Sequence, residues 1–427
     1  MKKMMRLMIV ATFCLALSTL ALGQPVFSVV QVPNSVPNTQ TAINDAGQVL
    51  VNTGTPTTST ISEWSLQAGG TPLQLNGQNN AGAAINSAGD IVGAGHEGSS
   101  TEVQAFIWRP SGSQEWLGTL GNYPSAAHAV NASGAVVGMS HNGAQISHGF
   151  LWTEASGMQD LTPDVTSLLG AIATGINSSN EVVGYYYPSG SANVQGFTWT
   201  EAAGMQDLGP AGTIPMAISD SGTIVGQALN SAGQKHAFSW TQGGGMVDLG
   251  TLGGDSSTAL SINNKGWIVG TSLISGKNGA LVHGFLWRPS AGMSDLTVLA
   301  NLSSGKQVYS IAVNDYGDIA LTTQAQAVML APKITATATS SANPSILGQP
   351  VTFTVTLSSI AGPPPDGETI EVSESSTVFG IGTLKNGVAQ VTLSGIKTGL
   401  HVISVTYKGD PYYLSFRQTP IKQLVNP

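Results

Sequence analysis

Histidine, aspartate, asparagine and tyrosine side chains carry most of the chemistry open to this chain, and their spacing sorts them into two groups. His148, His236 and His283 each precede an aromatic run, while Asp160, Asp207, Asp248 and Asp295 hold one place in a "DLG" or "DLT" phrase. Side chains that recur at a fixed period serve a repeated unit, so a hydrogen-bonded scaffold explains them better than a catalytic pair. Histidines on separate repeats also stand too far apart to share one metal ion. The second group breaks the period. His96 and Glu97 in "GAGHEGSS", His141 and Asn142 in "GMSHNGAQ", and Tyr185, Tyr186 and Tyr187 in "GYYYPSGSANVQ" follow equivalent strands without being equivalent residues. Asn122, Tyr123 and Asp255 join them if the loop after the "DLGTLGG" phrase emerges on the same face. Aromatic rings beside Asn and an occasional acid suit neutral polar ligands such as glycans, because a ring offers an apolar face with a polar rim. Solvated loop variation is the bland alternative. Successive strand residues point to opposite faces, so at most two of the three tyrosines can share one.

Other chemistries lack their residues. Holding a carboxylate sugar, as sialidases do, takes a cluster of arginines, and the repeat region has only Arg109 and Arg288, both in a "WRP" phrase on different repeats. Calcium loops need aspartates at alternating positions followed by Gly, a spacing that "NDYGD" does not have. No "GxSxG", "HExxH" or phosphate-binding loop occurs. Glycoside hydrolysis needs only two carboxylates at the right separation, so that chemistry stays open.

The elements that must position these residues are written as a repeat. A hairpin phrase occurs seven times: "INDAGQVLV", "INSAGDIVG", "VNASGAVVG", "INSSNEVVG", "ISDSGTIVG", "INNKGWIVG" and "VNDYGDIAL", beginning at Ile43, Ile85, Val130, Ile176, Ile218, Ile262 and Val313. Asn bonds its own backbone two residues on and Gly accepts a positive φ, so each phrase reads as two strands around a tight turn. An aromatic strand ending in Trp64, Trp108, Trp152, Trp199, Trp240 or Trp287 and a "GMxDLG" strand complete a four-stranded unit. These tryptophans fit packing between units better than ligand stacking. A four-stranded unit recurring every 40 to 50 residues is the pattern of a β-propeller blade. The last unit lacks its fourth strand. "PVFSVVQVP", residues 25–33, is available to complete it and so to close a seven-bladed ring without open edges. Six blades, or an open solenoid, is the alternative. Trp267 stands out, since other hairpin copies carry Gln, Asp, Ala, Glu or Thr there.

The wording "HAFSWTQGGGMVDLGTLGGDSSTALSINNKGWIVG", residues 236–270, resembles the H-A-F repeat family of extracellular bacterial proteins, named for the phrase His236-Ala237-Phe238. The resemblance runs through residues 25–331, with "HGF" at His148 and His283 and Gln104 or Gln195 replacing His elsewhere. It implies an exported repeat protein and no particular activity.

Composition shifts after Pro332. Val351, Phe353, Val355 and Leu357 alternate with Thr352, Thr354 and Thr356, as in a half-buried strand, and Asn386-Gly387 between two strand-like runs predicts a hairpin. His401 alternates in phase with Ile403, Val405 and Tyr407, which predicts a packed structural histidine. Several short strands in residues 332–427 argue for a sandwich. "NPSILGQPVTFTVT", "GVAQVTL" and "GLHVISVTYKGDPYY" resemble a bacterial immunoglobulin-like repeat domain, which implies a spacer or adhesive module.

"MKKMMR" followed by "LMIVATFCLALSTLALG" predicts a secretory signal peptide over residues 1–23, with Ala21-Leu22-Gly23 before the cut. Cys14, the only cysteine, would leave with it. Removing Lys2, Lys3 and Arg6 leaves 12 basic against 23 acidic residues, a net charge of about −11. That disfavours nucleic acid and anionic membrane as partners. The expected organisation is therefore all-β: a signal peptide (1–23), a propeller of H-A-F type repeats (24–331) and an immunoglobulin-like domain (332–427). The expected function is that of an exported, non-catalytic binding or adhesion protein, secreted or at the cell surface. Its partner would be a glycan or an extracellular protein, with no membrane insertion, no cofactor and no metal. A polysaccharide hydrolase or lyase on the same scaffold is the alternative, and a structural surface protein the second.

Overall fold

The computed structural model describes residues 25–35, 39–53, 60–162, 168–274, 281–302 and 307–427, so the expected signal peptide lies outside the described residues. Among these residues the chain is nearly all β, with one short helix at Leu296–Leu299. Seven four-stranded sheets precede a two-sheet sandwich. The sheets are numbered here as blades 1 to 6 (41–72, 78–116, 121–160, 168–208, 214–250 and 257–295) and blade 7 (308–332). Blade 7 takes its fourth strand, Phe27–Gln31, from the start of the chain. Phe27 pairs antiparallel with Pro332, Val29 with Leu330 and Gln31 with Val328.

No blade has a core of its own. In blades 2 to 6 the aromatic strand places Phe and Trp two residues apart, hence on one face. Phe106, Phe150, Phe197, Phe238 and Phe285 are all buried. Phe150 and Trp152 of blade 3 pack with Val92 and Ile107 of blade 2. Phe197 and Trp199 of blade 4 pack with Val137 and Leu151 of blade 3. The last seam joins Met329 of blade 7 to Val49 and Trp64 of blade 1. The apolar layers therefore run around a closed β-propeller, between neighbours rather than within them.

The hairpin phrase explains itself through its asparagine. In "INNKGWIVG", Asn263 Oδ1 accepts from the Lys265 and Trp267 N–H groups at 3.1 and 2.8 Å, closing the turn from inside. Gly266 has φ 75°, and in the one copy lacking this glycine Asn180 takes φ 60°. The side-chain amide points the other way, across to the next blade. Asn44, Asn86, Asn131, Asn177, Asn263 and Asn314 each donate Nδ2 to the carbonyl of the equivalent residue on the following blade at 2.8–3.4 Å. Blade 5 carries Ser219 at this place. There Asn264 bridges instead, accepting from Asp220 N and donating to Asp220 Oδ2, both at 3.0 Å. The glycine that ends the phrase also has a cause: a Cβ on Gly270 would collide with the Thr258 carbonyl, where the inner strand bulges between Ala259 and Ser261.

The sandwich stacks a three-stranded sheet (335–340, 351–358, 388–393) on a five-stranded one. Val351, Phe353, Val355 and Leu357 face its core, as their alternation predicts. The Asn386-Gly387 turn forms with positive φ at both residues. Its flanking strands, however, belong to opposite sheets, joined only by the Lys385–Val388 bridge. Leu384, buried in the core, turns the chain from one sheet to the other before a ladder can grow.

The sandwich docks on the hairpin face of the propeller. Tyr316, in the blade 7 turn, stacks on Tyr412 with centroids 3.5 Å apart. Ile360 and Ala361 pack into the cluster that holds Trp267. Beneath them Asp318 is fully buried, with one oxygen bonded to Asn314 Nδ2 at 3.1 Å and the other unpaired. Burial pushes this carboxyl up to about 7, against the pull of the Asn314 amide and helped by the charge of Asp410.

Two outcomes follow. Deleting residues 24–33 should lower the thermal midpoint and promote aggregation by exposing the Ala327–Pro332 strand as a new sheet edge; a variant as stable as the parent would contradict closure by this strand. The raised Asp318 makes the native state bind a proton that the unfolded chain has already lost. Stability should therefore fall as pH rises from about 4 to about 7, by at most about 1.4 kcal/mol per unit. Asp318→Asn should flatten that slope in urea titrations at several pH values.

Candidate functional site

The residues that break the repeat gather at the end of the propeller opposite the hairpins. The pairing of Gly121 with Asn142, and of Asn122 with His141, brings the loop entering blade 3 beside the loop after its second strand. His96 ends the second strand of blade 2 opposite Gln78, with a buried, unpartnered Nδ1, and Glu97 beyond it is exposed. Tyr123 is exposed, and Asp255 is exposed in the turn before blade 6.

Two of these residues are tied down by scaffold. Asn142 Oδ1 accepts from Ala144 N and Ile146 N, and its Nδ2 lies 3.1 Å from His148 Nε2. His148 Nδ1 in turn bonds Asp160 at 2.8 Å. A carboxylate only accepts, so the His148 proton sits on Nδ1 and Nε2 accepts from the amide. Blade 5 repeats the chain as Asn230, His236 and Asp248, and blade 6 keeps His283 on Asp295 at 2.8 Å. The histidine of one phrase and the aspartate of the other are thus partners across the third and fourth strands. Blade 4 has Gln195 in place of the histidine, and Asp207 there accepts from the Tyr186 hydroxyl at 2.9 Å instead. Tyr186 consequently faces the outer strands.

Tyr185 and Tyr187 take the other face together, edge to face at 5.7 Å. Burial, with Tyr187 alongside, pushes the Tyr185 phenol up to about 12. Tyr185 lines a central cavity of about 630 Å³ between the inner strands, whose loop-end walls include Gln40, Ile172, Ile214 and Tyr309. At the hairpin end Ile218 belongs both to this cavity and to a smaller one of about 180 Å³ edged by Asp45, Asp220 and Asp315. Ile218, which opens the blade 5 hairpin phrase, therefore stands between the two.

Sequence reasoning missed His128. It lies on the inner strand of blade 3, two residues before the hairpin phrase, where other copies have Thr41, Ala83, Thr174, Met216, Leu260 and Ile311. Its Nδ1 lies 3.0 Å from the Ala173 carbonyl, and burial lowers its pKa against the lift from that bond. The signal was available: a histidine at a place otherwise apolar or hydroxylic. A further cavity of about 600 Å³ lies on the sandwich beside Phe379 and Ile396. There His401 bonds Glu374 at 2.9 Å and the Lys397 carbonyl at 2.8 Å, so both ring nitrogens donate and its pKa is raised, chiefly by Glu374. Among the described residues no group of three or more His, Cys, Asp or Glu is arranged to hold a metal ion.

Comparison with known proteins bears on the C-terminal part. Residues 337–426 match the bacterial Ig-like domain (group 3). The chain has no match among curated proteins. Among solved structures it is similar to a streptogramin B lyase, 13% identical over 71% of this chain and 97% of that one, with a TM-score of 0.47. It is similar to the WD40 β-propeller domain of Doa1, 14% identical over 72% and 96%, with a TM-score of 0.46. It is also similar to TolB from Acinetobacter baumannii, 15% identical over 48% and 52%, with a TM-score of 0.38.

The blade 4 exchange is testable. Tyr186→Phe should leave Asp207 without that donor and lower stability by about 1 kcal/mol in denaturant melts. The Tyr185–Tyr187 face should be untouched, and restoring histidine through Gln195→His should recover part of the loss.

Proposed function

We propose that this is an exported, non-catalytic binding or adhesion protein, built from H-A-F type repeats, that presents a ligand face on its propeller and uses the Ig-like domain as spacer. The reading includes removal of residues 1–23 as a signal peptide, a propeller over 24–331 and the immunoglobulin-like domain over 332–427. The observation that carries it is the placement of the sandwich. The sandwich sits on the hairpin face, stacked through Tyr316 and Tyr412, and leaves the opposite face free. In this reading the ligand face is made by His96, Glu97, Asn122, Tyr123, His141, Tyr185, Tyr187 and Asp255, of which Tyr185 lines the central cavity. Exposed rings beside amides and few charges suit a neutral glycan or a polar protein surface. No helix among the described residues is long and apolar enough to cross a membrane, and the low content of charged residues, 9%, matches a surface built from hydroxyls and amides.

A glycan array probed with purified residues 24–427 tests the reading. Saturable binding that is lost in the double variant Tyr185→Ala, Tyr187→Ala and kept in Tyr186→Phe is the expected result. Turnover of a polysaccharide would put a hydrolase or lyase in its place, and silence on both counts would leave a structural surface protein.

A further inference from the structure

The central cavity has a chemistry different from that of the loop face around it. Its walls include Ala, Ile, Leu and Met from the inner strands and, among the described residues, no Asp, Glu, Lys or Arg. An ionised guest would lose its hydration there without meeting a counter-charge. A polyol fares little better, because most of the wall hydroxyls already bond backbone groups within or between blades. Thr41 Oγ1 donates to Leu50 O and Thr174 Oγ1 to Pro215 O, while Ser261 and Ser310 accept from Val313 N and Thr41 N. The polar groups that stand out for a guest are the Tyr185 phenol and Gln40 amide near the loop mouth and His128 in the interior.

The orientation of His128 determines what it offers. The Ala173 carbonyl can only accept, so Nδ1 carries the ring proton. Nε2 then holds a lone pair and has no protein partner among the described residues. The cavity volume, about 630 Å³, falls inside the roughly 300–1,000 Å³ typical of small-molecule sites. At its far end the hairpin aliphatics Ile176 and Ile218 form part of the wall.

We propose that the channel is a binding chamber for an uncharged, largely apolar small molecule that donates one hydrogen bond to His128 Nε2. The chamber is separate from the reading of the loop face: a chain that binds no glycan can still fill it, and a glycan can bind the rim with the chamber empty.

N-phenyl-1-naphthylamine serves as the probe, being uncharged and aromatic with a single N–H donor. Its counterpart 8-anilino-1-naphthalenesulfonate has the same skeleton plus a negative charge. With residues 24–427, fluorescence titration should give one saturable site for the first and at least about tenfold weaker binding of the second. His128→Phe, which keeps the ring and removes the acceptor, should weaken the uncharged probe about tenfold. Met216→Trp and Leu260→Trp, which fill the chamber from blades 5 and 6, should each abolish saturable binding, and Tyr186→Phe, on the opposite face of its strand, should leave it unchanged. Circular dichroism and thermal melts identify any variant that fails to fold, and the other filling variant then decides. Equal affinity for the two probes, no saturable site, or binding that survives a folded filling variant would overturn the chamber. Unchanged affinity in folded His128→Phe would overturn the role given to Nε2.

Discussion

The propeller depends on one constraint: each sheet has two apolar faces and can bury them only against other sheets. A Phe and a Trp on one face, and aliphatic residues on the other, leave a single blade with no core of its own. Burying both faces of every blade requires a closed ring, and the ring in turn requires the strand Phe27–Gln31 to return from the start of the chain. The asparagine of each hairpin adds direction to this non-directional burial. Its carbonyl oxygen shapes its own turn while its amide is committed to the next blade, so local and tertiary structure share one side chain. Such a residue is hard to replace, because a substitute must serve both blades. Ser219 serves only its own, and the lost link is made good one residue along by Asn264 and Asp220.

Departures from the repeat are where the molecule specialises. Gln195 displaces a histidine, and Tyr186 supplies the donor that Asp207 would otherwise lack. Trp267 and Tyr316 are unusual for their places in the hairpin, and both lie under the sandwich. His128 is unusual for its place on the inner strand, and it lines the channel. Repetition supplies the scaffold, and an odd residue marks a place where the scaffold meets something other than the next blade.

The strands were legible because their signals are local. Alternation marked Val351 to Leu357, and Asn with Gly marked each turn. The two-residue turn at Asn386-Gly387 was legible for the same reason, but the destination of the strands beside it was not, since that depends on burying Leu384 between two sheets. Among the candidate site residues, alternation indicated that only two of the three tyrosines could share a face. Which two, and that Tyr186 would find Asp207, depended on contacts 21 residues away. Asn142 looked like a loop residue open to a ligand. Its bonds to its own turn and to His148 recur in blade 5, and that equivalence emerges only when the strands are paired.

By itself the sequence determined the unit and its repetition, because hydrophobic period, turn chemistry and spacing are properties of a few consecutive residues. It also determined that Trp267 was an exception. Only the tertiary structure decided what the exception was for. Closing the ring points the inner strands at a common axis, which gathers His128, Tyr185 and Tyr309 from three separate blades around one cavity. Docking the sandwich buries Asp318 and the odd hairpin residues on one face and leaves the other open. Both outcomes arise from contacts between residues far apart in the chain, and no local pattern encodes the distance between them.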